Sequence, residues 1–248
     1  MSKVVLITGG SRGIGAASAL LAARHGWAVA VNYASNSLAA DEVVRQIRQA
    51  GGNAITVQAD VADEAQVLAM FEKVDAKLGR LDGLVNNAGV VDRTTRVDAI
   101  TLARLRRMFE INVFGSFLCA REAVKRMSTR YGGAGGSIVN VSSAAARLGA
   151  PGQYVDYASA KGAIDTFTVG LAKEVATEGI RVNAVRPGII DTDIHASGGL
   201  PDRARDLAPQ VPMQRPGTAD EVAASIVWLL GDNAGYTTGA LLDVAGGR

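Results

Sequence analysis

Cysteine and histidine are nearly missing from the 248 residues: Cys119 stands alone, and the histidines are His25 and His195. One thiol cannot form an internal disulfide, and within an apolar helical pattern Cys119 reads as a buried core residue in a reducing compartment. No Cys/His cluster offers a zinc site, so no metal is expected. Charge of one sign is lacking as well, with 26 basic residues against 24 acidic ones. No basic run stands out, which leaves nucleic acid without an electrostatic footprint. Long hydrophobic runs are also missing. No stretch reaches membrane-spanning length without charges, and Val4–Ile7 is too short for a signal peptide. The expectation is a cytoplasmic protein with neither membrane nor nucleic-acid partners. Aromatics are only 5% of the chain, while hydrophobic residues reach 48%. Such an excess of Ala, Val, Leu, Ile and Gly suits smooth helices packed on both faces of a parallel sheet.

The order of patterns agrees. Val4–Thr8, Ala28–Tyr33, Ala54–Ala59, Gly83–Asn86, Ser137–Val141, Arg181–Val185 and Leu241–Val244 read as short buried strands. Between them the helical patterns Gly13–His25, Ser37–Ala50, Glu64–Leu78, Leu102–Arg130, Val155–Glu178 and Ala219–Leu230 alternate with the strands. The reading is one α/β domain over residues 1–248, a Rossmann-like, doubly wound parallel sheet with right-handed crossovers. The irregular stretch 191–217 follows the sixth strand, at the carboxyl edge where such folds bind ligands, and is expected to form a substrate lid.

The first strand runs directly into Thr8-Gly9-Gly10-Ser11-Arg12-Gly13-Ile14-Gly15 and then a helix. Glycine lets the backbone bend tightly and approach a pyrophosphate, and the free N–H groups of the helix start meet its charge. Dinucleotide binding is therefore expected here, through Gly9, Ser11, Arg12, Gly13, Ile14 and Gly15. In many nicotinamide folds a carboxylate ending the second strand binds the adenosine ribose. Here Asn32-Tyr33-Ala34-Ser35-Asn36 has none, and Arg12 can grip a 2′-phosphate instead. The reading prefers NADP(H) and leaves NAD(H) open.

Tyr157 and Lys161 are four residues apart at the start of a helical pattern, so they share one face. A free tyrosine has a pKa of ~10, and lowering it by ~3 units requires about 4 kcal/mol of differential stabilisation. Lys161 is expected to supply part of it. Ser142 and Ser143 end the fifth strand, where a hydroxyl can hold a substrate oxygen beside Tyr157. Asn112 interrupts an apolar helical run, where asparagine competes for backbone bonds.

Thr8-Gly-x-x-x-Gly-x-Gly, Asn86-Asn87-Ala88-Gly89, Asn112, Ser143 and Tyr157-x-x-x-Lys161 arrive in the order found in the short-chain dehydrogenase/reductase family, which the chain resembles from Thr8 to Gly247. The resemblance implies a catalytic set of Asn112, Ser143, Tyr157 and Lys161, with Ser142 as the alternative to Ser143. Asn112 would hold a helix distortion that relays protons to Lys161, and Lys161 would also bind the nicotinamide ribose. It implies further cofactor contacts from Asn32, Tyr33, Asp60, Val61, Asn87, Ala88, Gly89, Pro187, Gly188, Ile190 and Thr192. It also implies a homotetramer that pairs the long helices across one interface and the C-terminal strand region across another.

The activity expected is NADP(H)-dependent interconversion of a small carbonyl compound and its secondary alcohol, with Tyr157 as general acid/base. Ala144–Ala146, Gln153, Tyr154, Ile189 and Ile194–His195 are candidate pocket residues. Members that reduce 3-oxoacyl carrier proteins often place a basic residue where this chain has Glu178, which counts against an acidic carrier. That activity remains an alternative, as does a dinucleotide sensor without turnover. A methyltransferase would share the glycine turn but would not need Tyr157, Lys161 and Ser143 together.

Overall fold

Strand residues here point alternately to two faces, and the chain supplies an apolar side chain to both. In β1 (Val4–Ile7) all four residues are buried. Val5 and Ile7 join one core and Val4 and Leu6 the other. A strand buried on both faces must be covered by helices on both, and that is the architecture of the computed structural model, which describes residues 2–192, 198–200 and 202–248.

The remaining strands are β2 (Ala28–Tyr33), β3 (Ala54–Gln58), β4 (Leu81–Asn86), β5 (Gly136–Val141), β6 (Ile180–Pro187) and β7 (Leu241–Val244). They form one parallel sheet in the order β3-β2-β1-β4-β5-β6-β7. The order reverses at β1, between β2 and β4, and such a switch point opens a crevice at the carboxyl edge. The helices are α1 (Gly13–Arg24), α2 (Ser37–Gln49), α3 (Glu64–Leu78), α4 (Leu102–Phe109), α5 (Gly115–Met127), α6 (Ala145–Leu148), α7 (Val155–Val175), α8 (Arg203–Leu207) and α9 (Ala219–Leu230).

α1, α2 and α9 cover one face through Ala19, Val43, Ile47, Val222 and Ile226. α3, α5 and α7 cover the other through Met70, Phe71, Ala123 and Val175. Each of the valine, isoleucine, methionine and phenylalanine side chains stabilises the fold by about 1.5–3 kcal/mol when fully buried. Cys119 lies in the second core, where burial pushes its thiol up to about 12 and leaves it inert. Among the described residues no helix is long and apolar enough to cross a membrane.

The sheet carries the expected strands, but the expected helix Leu102–Arg130 is broken. α4 and α5 are separated by a π-turn, Glu110–Phe114, and a short 3₁₀ turn, Thr129–Tyr131, follows α5. The cause of the π-turn is local. Asn112 Nδ2 donates to Met108 O at 2.9 Å and to Val90 O at 3.0 Å, while its Oδ1 accepts from Val90 N at 3.2 Å. An asparagine that is fully buried must satisfy its amide, and here it does so on two backbone segments.

Candidate active site

The glycine turn is built from both sides. Gly9 (φ 60°) and Gly13 (φ 52°) occupy backbone conformations that side chains disfavour. A Cβ on Gly15 would stand 2.4 Å from Gly9 O, so the helix can approach the turn only without a side chain. Gly15 is buried beneath the turn. Asn87 Nδ2 donates to Thr8 O and Gly9 O at 2.9 and 3.0 Å, and Thr8 Oγ1 accepts from the N–H groups of Asn87 and Ala88. Asn32 Oδ1 accepts from Gly9 N at 3.1 Å, and its Nδ2 donates to Val57 O and Ala59 O. Asn32 therefore borders the cleft, but its amide is committed to backbone. Its side chain fixes the turn.

The start of α1 differs from that of its neighbours. Asn36, Asp63, Thr101 and Thr218 cap α2, α3, α4 and α9 by accepting a backbone N–H, Thr218 in a capping box with Glu221. α1 has no side-chain cap and no acidic residue in its first turn. Its first N–H groups open on a cavity of about 590 Å³ lined by Gly9, Ser11–Ile14, Asn32–Asn36, Ala59–Val61, Asn87–Val90, Arg107, Ile111 and Thr192. That arrangement suits the phosphates of a dinucleotide. Asp60 Oδ1 accepts from Ala62 N at 3.0 Å in an Asx turn that closes the strand. Val61 is buried against Gly115, where a Cβ would stand 2.6 Å from Val61 Cγ2. Its side chain seats the start of α5 while the residue also lines the cavity.

A second cavity of about 440 Å³ continues from the first, sharing Ile14, Asn87, Gly89 and Thr192. Its wall holds Ser143, Tyr157, Lys161, Pro187, Gly188 and Ile190. Of the candidate pocket residues, Ala144, Ala145, Gln153, Tyr154 and Ile189 line it and Ala146 does not. Ile194 and His195 lie outside the described residues.

Ser142 and Ser143 part company here. Ser142 Oγ is buried and donates to Lys161 O at 3.2 Å, which ties α7 to the end of β5. Ser143 Oγ accepts from Ala145 N at 3.1 Å and shares the cavity wall with Tyr157. Lys161 Nζ donates to Val141 O at 2.7 Å and lies 5.7 Å from the centre of the Tyr157 ring. Gly89 separates Lys161 from Asn112: a Cβ there would stand 2.8 Å from Asn112 Oδ1 and 3.5 Å from Lys161 Nζ. The first residues of α7 are held by Asp156, whose buried carboxylate takes Arg104 of α4 in a pair with a 2.7 Å contact.

The electrostatics depart from expectation at Tyr157. Burial pushes the phenol up to about 12, and the neighbouring Ser143 hydroxyl opposes this only in part. Burial also lowers the Lys161 ammonium to about 8, against the pull of Asp165. Loss of hydration is the largest influence on both groups, and Lys161 directs its proton to Val141 O.

Arg107, Arg203 and Arg248 also line the two cavities. No motif announces them. Arg107 sits in an exposed basic stretch of α4, far in sequence from the glycine turn, and only packing brings it to the cleft.

Comparison with known proteins agrees with this geometry. A family model described as enoyl-(acyl carrier protein) reductase matches residues 9–248. The chain is 57% identical to an uncharacterised oxidoreductase, YgfF, of Escherichia coli strain K12, over 99% of each chain. It is 40% identical to a 3-oxoacyl-[acyl-carrier-protein] reductase of Synechocystis, over 99% of this chain and 96% of that one. Among solved structures, a double mutant of a Serratia marcescens short-chain dehydrogenase/reductase superposes with a TM-score of 0.91 at 35% identity, covering 99% of this chain and 97% of that one. An oxidoreductase with a nicotinamide dinucleotide cofactor is what these relatives imply, and the glycine turn and uncapped helix fit that cofactor. The chain belongs to the short-chain dehydrogenase/reductase family.

Proposed function

We propose that the protein is an NADP(H)-dependent oxidoreductase that interconverts a small carbonyl compound and its secondary alcohol. The observation that carries this reading is that Ser143, Tyr157 and Lys161 share the wall of the inner cavity, with Lys161 one helical turn from Tyr157. A bound nicotinamide dinucleotide supplies or accepts the hydride. In reduction, Ser143 holds the substrate oxygen and Tyr157 gives that oxygen its proton. Lys161 provides positive charge as the phenolate forms and holds the nicotinamide ribose. Asn112 keeps the π-turn open for the proton path. Positioned proton transfer of this kind accounts for about 10²–10⁴-fold of rate.

Ser11, Gly13 and Ile14 would hold the pyrophosphate side. Pro187, Gly188, Ile190 and Thr192 would orient the nicotinamide. NADP(H) is preferred because Arg12 is exposed at the cleft and no carboxylate stands at Ala34–Asn36. Arg107 on the same wall adds a second cation. The reading includes one domain with a lid at 191–217, of which 193–197 and 201 lie outside the described residues. It also includes a homotetramer in the cytoplasm.

Reduction of a carrier-bound oxoacyl group is the second reading, favoured by the name of the Synechocystis relative. Glu178 accepts from Ser128 Oγ near the start of β6, and this half-buried carboxylate would repel an acidic carrier locally. Tyr157→Phe is expected to abolish carbonyl turnover while NADPH still binds, as read by cofactor fluorescence. Unchanged turnover would sink the mechanism, and binding without turnover by the unmodified enzyme across a carbonyl panel would return the sensor reading. Arg12→Ala should weaken NADPH more than NADH; tighter NADH binding by the unmodified protein would reverse the cofactor assignment.

A further inference from the structure

We propose that the substrate of this site carries a carboxylate, held by Arg203 and Arg248. The proposal rests on the carbonyl-reduction reading and adds the class of compound reduced.

The inner cavity is apolar over much of its wall, through Val91, Leu148, Ala150, Pro151 and Ile189. Arg203 and Arg248 nevertheless join that wall, and no aspartate or glutamate does so among the described residues. Neighbouring arginines find carboxylates: Arg186 pairs with Asp165 and Asp243, and Arg215 with Glu221. Among the described residues, Arg203 and Arg248 have no carboxylate within ion-pair distance.

Each guanidinium has a feature that suits a ligand. Arg203 Nη2 donates to a neutral acceptor, Gln153 Oε1, at 2.7 Å, and its guanidinium lies over the Tyr154 ring at 5.1 Å. Those contacts fix the plane of the fork and leave its charge uncompensated. Arg248 Nη1 is buried and has no hydrogen-bond partner among the described residues. Nη1 is sealed from solvent, so a carboxylate in the cavity would meet Arg248 from the side that lines the wall rather than at this nitrogen. A planar carboxylate also matches the guanidinium fork.

A cavity of about 440 Å³ that must also admit the nicotinamide leaves room for a compact molecule, and phosphate groups already have a place at the start of α1. The anion therefore belongs to the substrate: an oxo acid or hydroxy acid with a short apolar body. The carboxylate is unchanged by the reaction. In reduction, hydride adds to the carbonyl carbon, the Tyr157 proton adds to its oxygen, and reduced nicotinamide becomes oxidised nicotinamide. Because Arg203 belongs to α8 and Gln153 precedes α7, one anion would bridge the lid side to the catalytic helix.

The test compares linear and cyclic oxo acids with their methyl esters, using the full chain and both cofactors. The acids should be reduced with a kcat/KM about tenfold or more above their esters, and Arg203→Gln and Arg248→Gln should each cut that ratio by about tenfold. The loss should fall mainly on KM, with Arg→Lys at either position recovering part of it. Melting temperatures identify any variant that fails to fold, and the other position then decides. Esters reduced as well as acids, or an acid-to-ester ratio unmoved by both substitutions, overturns the proposal while leaving carbonyl reduction intact.

If no compound is turned over, the function proposed above fails on that panel. The carboxylate site is then read from protection of the NADPH-loaded protein against thermal unfolding. Protection by acids but not by their amides, lost in the glutamine variants, supports it. Equal or absent protection overturns it. Turnover confined to carrier-linked oxoacyl thioesters, with no binding of free oxo acids, also overturns it.

Discussion

Lys161 is the residue on which the chemistry and the stability of this protein meet. A lysine in water keeps its proton to a pKa of 10.5, but burial lowers this one to about 8. Between those values the unfolded chain holds a proton that the native protein has released. Native stability therefore rises with pH in that window, with a slope of at most about 1.4 kcal/mol per pH unit. Tyr157 acts in the opposite sense. Its phenol, raised from 10.0 to about 12, keeps its proton in the native state after the unfolded chain has lost it, so stability falls as pH climbs through that range. The melting-temperature difference between the native protein and Lys161→Met is expected to move in favour of the native protein from pH 8 to pH 10. A difference that stays constant with pH would contradict the burial argument. The pairing of Tyr157 with Lys161 is legible in sequence because four-residue spacing puts them on one helix face, whereas the choice of Ser143 over Ser142 rests on the family resemblance. The direction of the phenol shift is not legible there, because it depends on how much water the completed wall excludes.

At the scale of the element, one asparagine reshapes a helix. Asn112 satisfies both Val90 N and Val90 O, and it does so only where the π-turn carries it toward that loop. Asn112→Leu would leave both backbone groups of Val90 without this partner inside the protein. These bonds are only partly buried, so each lost one costs about 0.5–1.5 kcal/mol, and a fall in the urea midpoint is expected together with loss of turnover. An unchanged midpoint would mean that the π-turn is held by something else. The sequence marks Asn112 as an interruption, and periodicity alone still draws one helix across it, because a π-turn adds a residue without disturbing the apolar pattern for long. The glycine turn is the contrasting case. Its residues are legible because backbone shape requires them. Gly15→Ala, whose Cβ would meet Gly9 O at 2.4 Å, should weaken dinucleotide binding at least tenfold in a fluorescence titration, and retained affinity would show that the turn can relax. Arg107, Arg203 and Arg248 reach their cavities only through the fold, and no local pattern could have selected them.

At the scale of the whole molecule, the two cores leave an apolar remainder outside. Leu102, Phe114 and Phe117 are 62%, 55% and 46% exposed on α4, the π-turn and α5. Phe117 stacks on Phe167 of α7 at 3.8 Å, so this surface joins the two long helical segments. Trp228 of α9 and Leu242 of β7 are exposed near the C-terminal strand. Two separate apolar regions on one chain are what a tetramer with two kinds of two-fold interface would use. The same helices carry Asn112, Tyr157 and Lys161 on their inner sides, so covering the outer side would also stiffen the site. Light scattering should therefore give a tetramer for the native protein and a dimer for the double substitution Phe114→Glu, Phe117→Glu. Charge placed at such a face is costly when covered, and Phe114→Glu alone should act in the same direction without touching the Phe117–Phe167 stack. The dimer should also melt at a lower temperature, since association stabilises the native state by mass action. A native protein that scatters as a monomer at micromolar concentration would remove the tetramer and leave the exposed phenylalanines to another role.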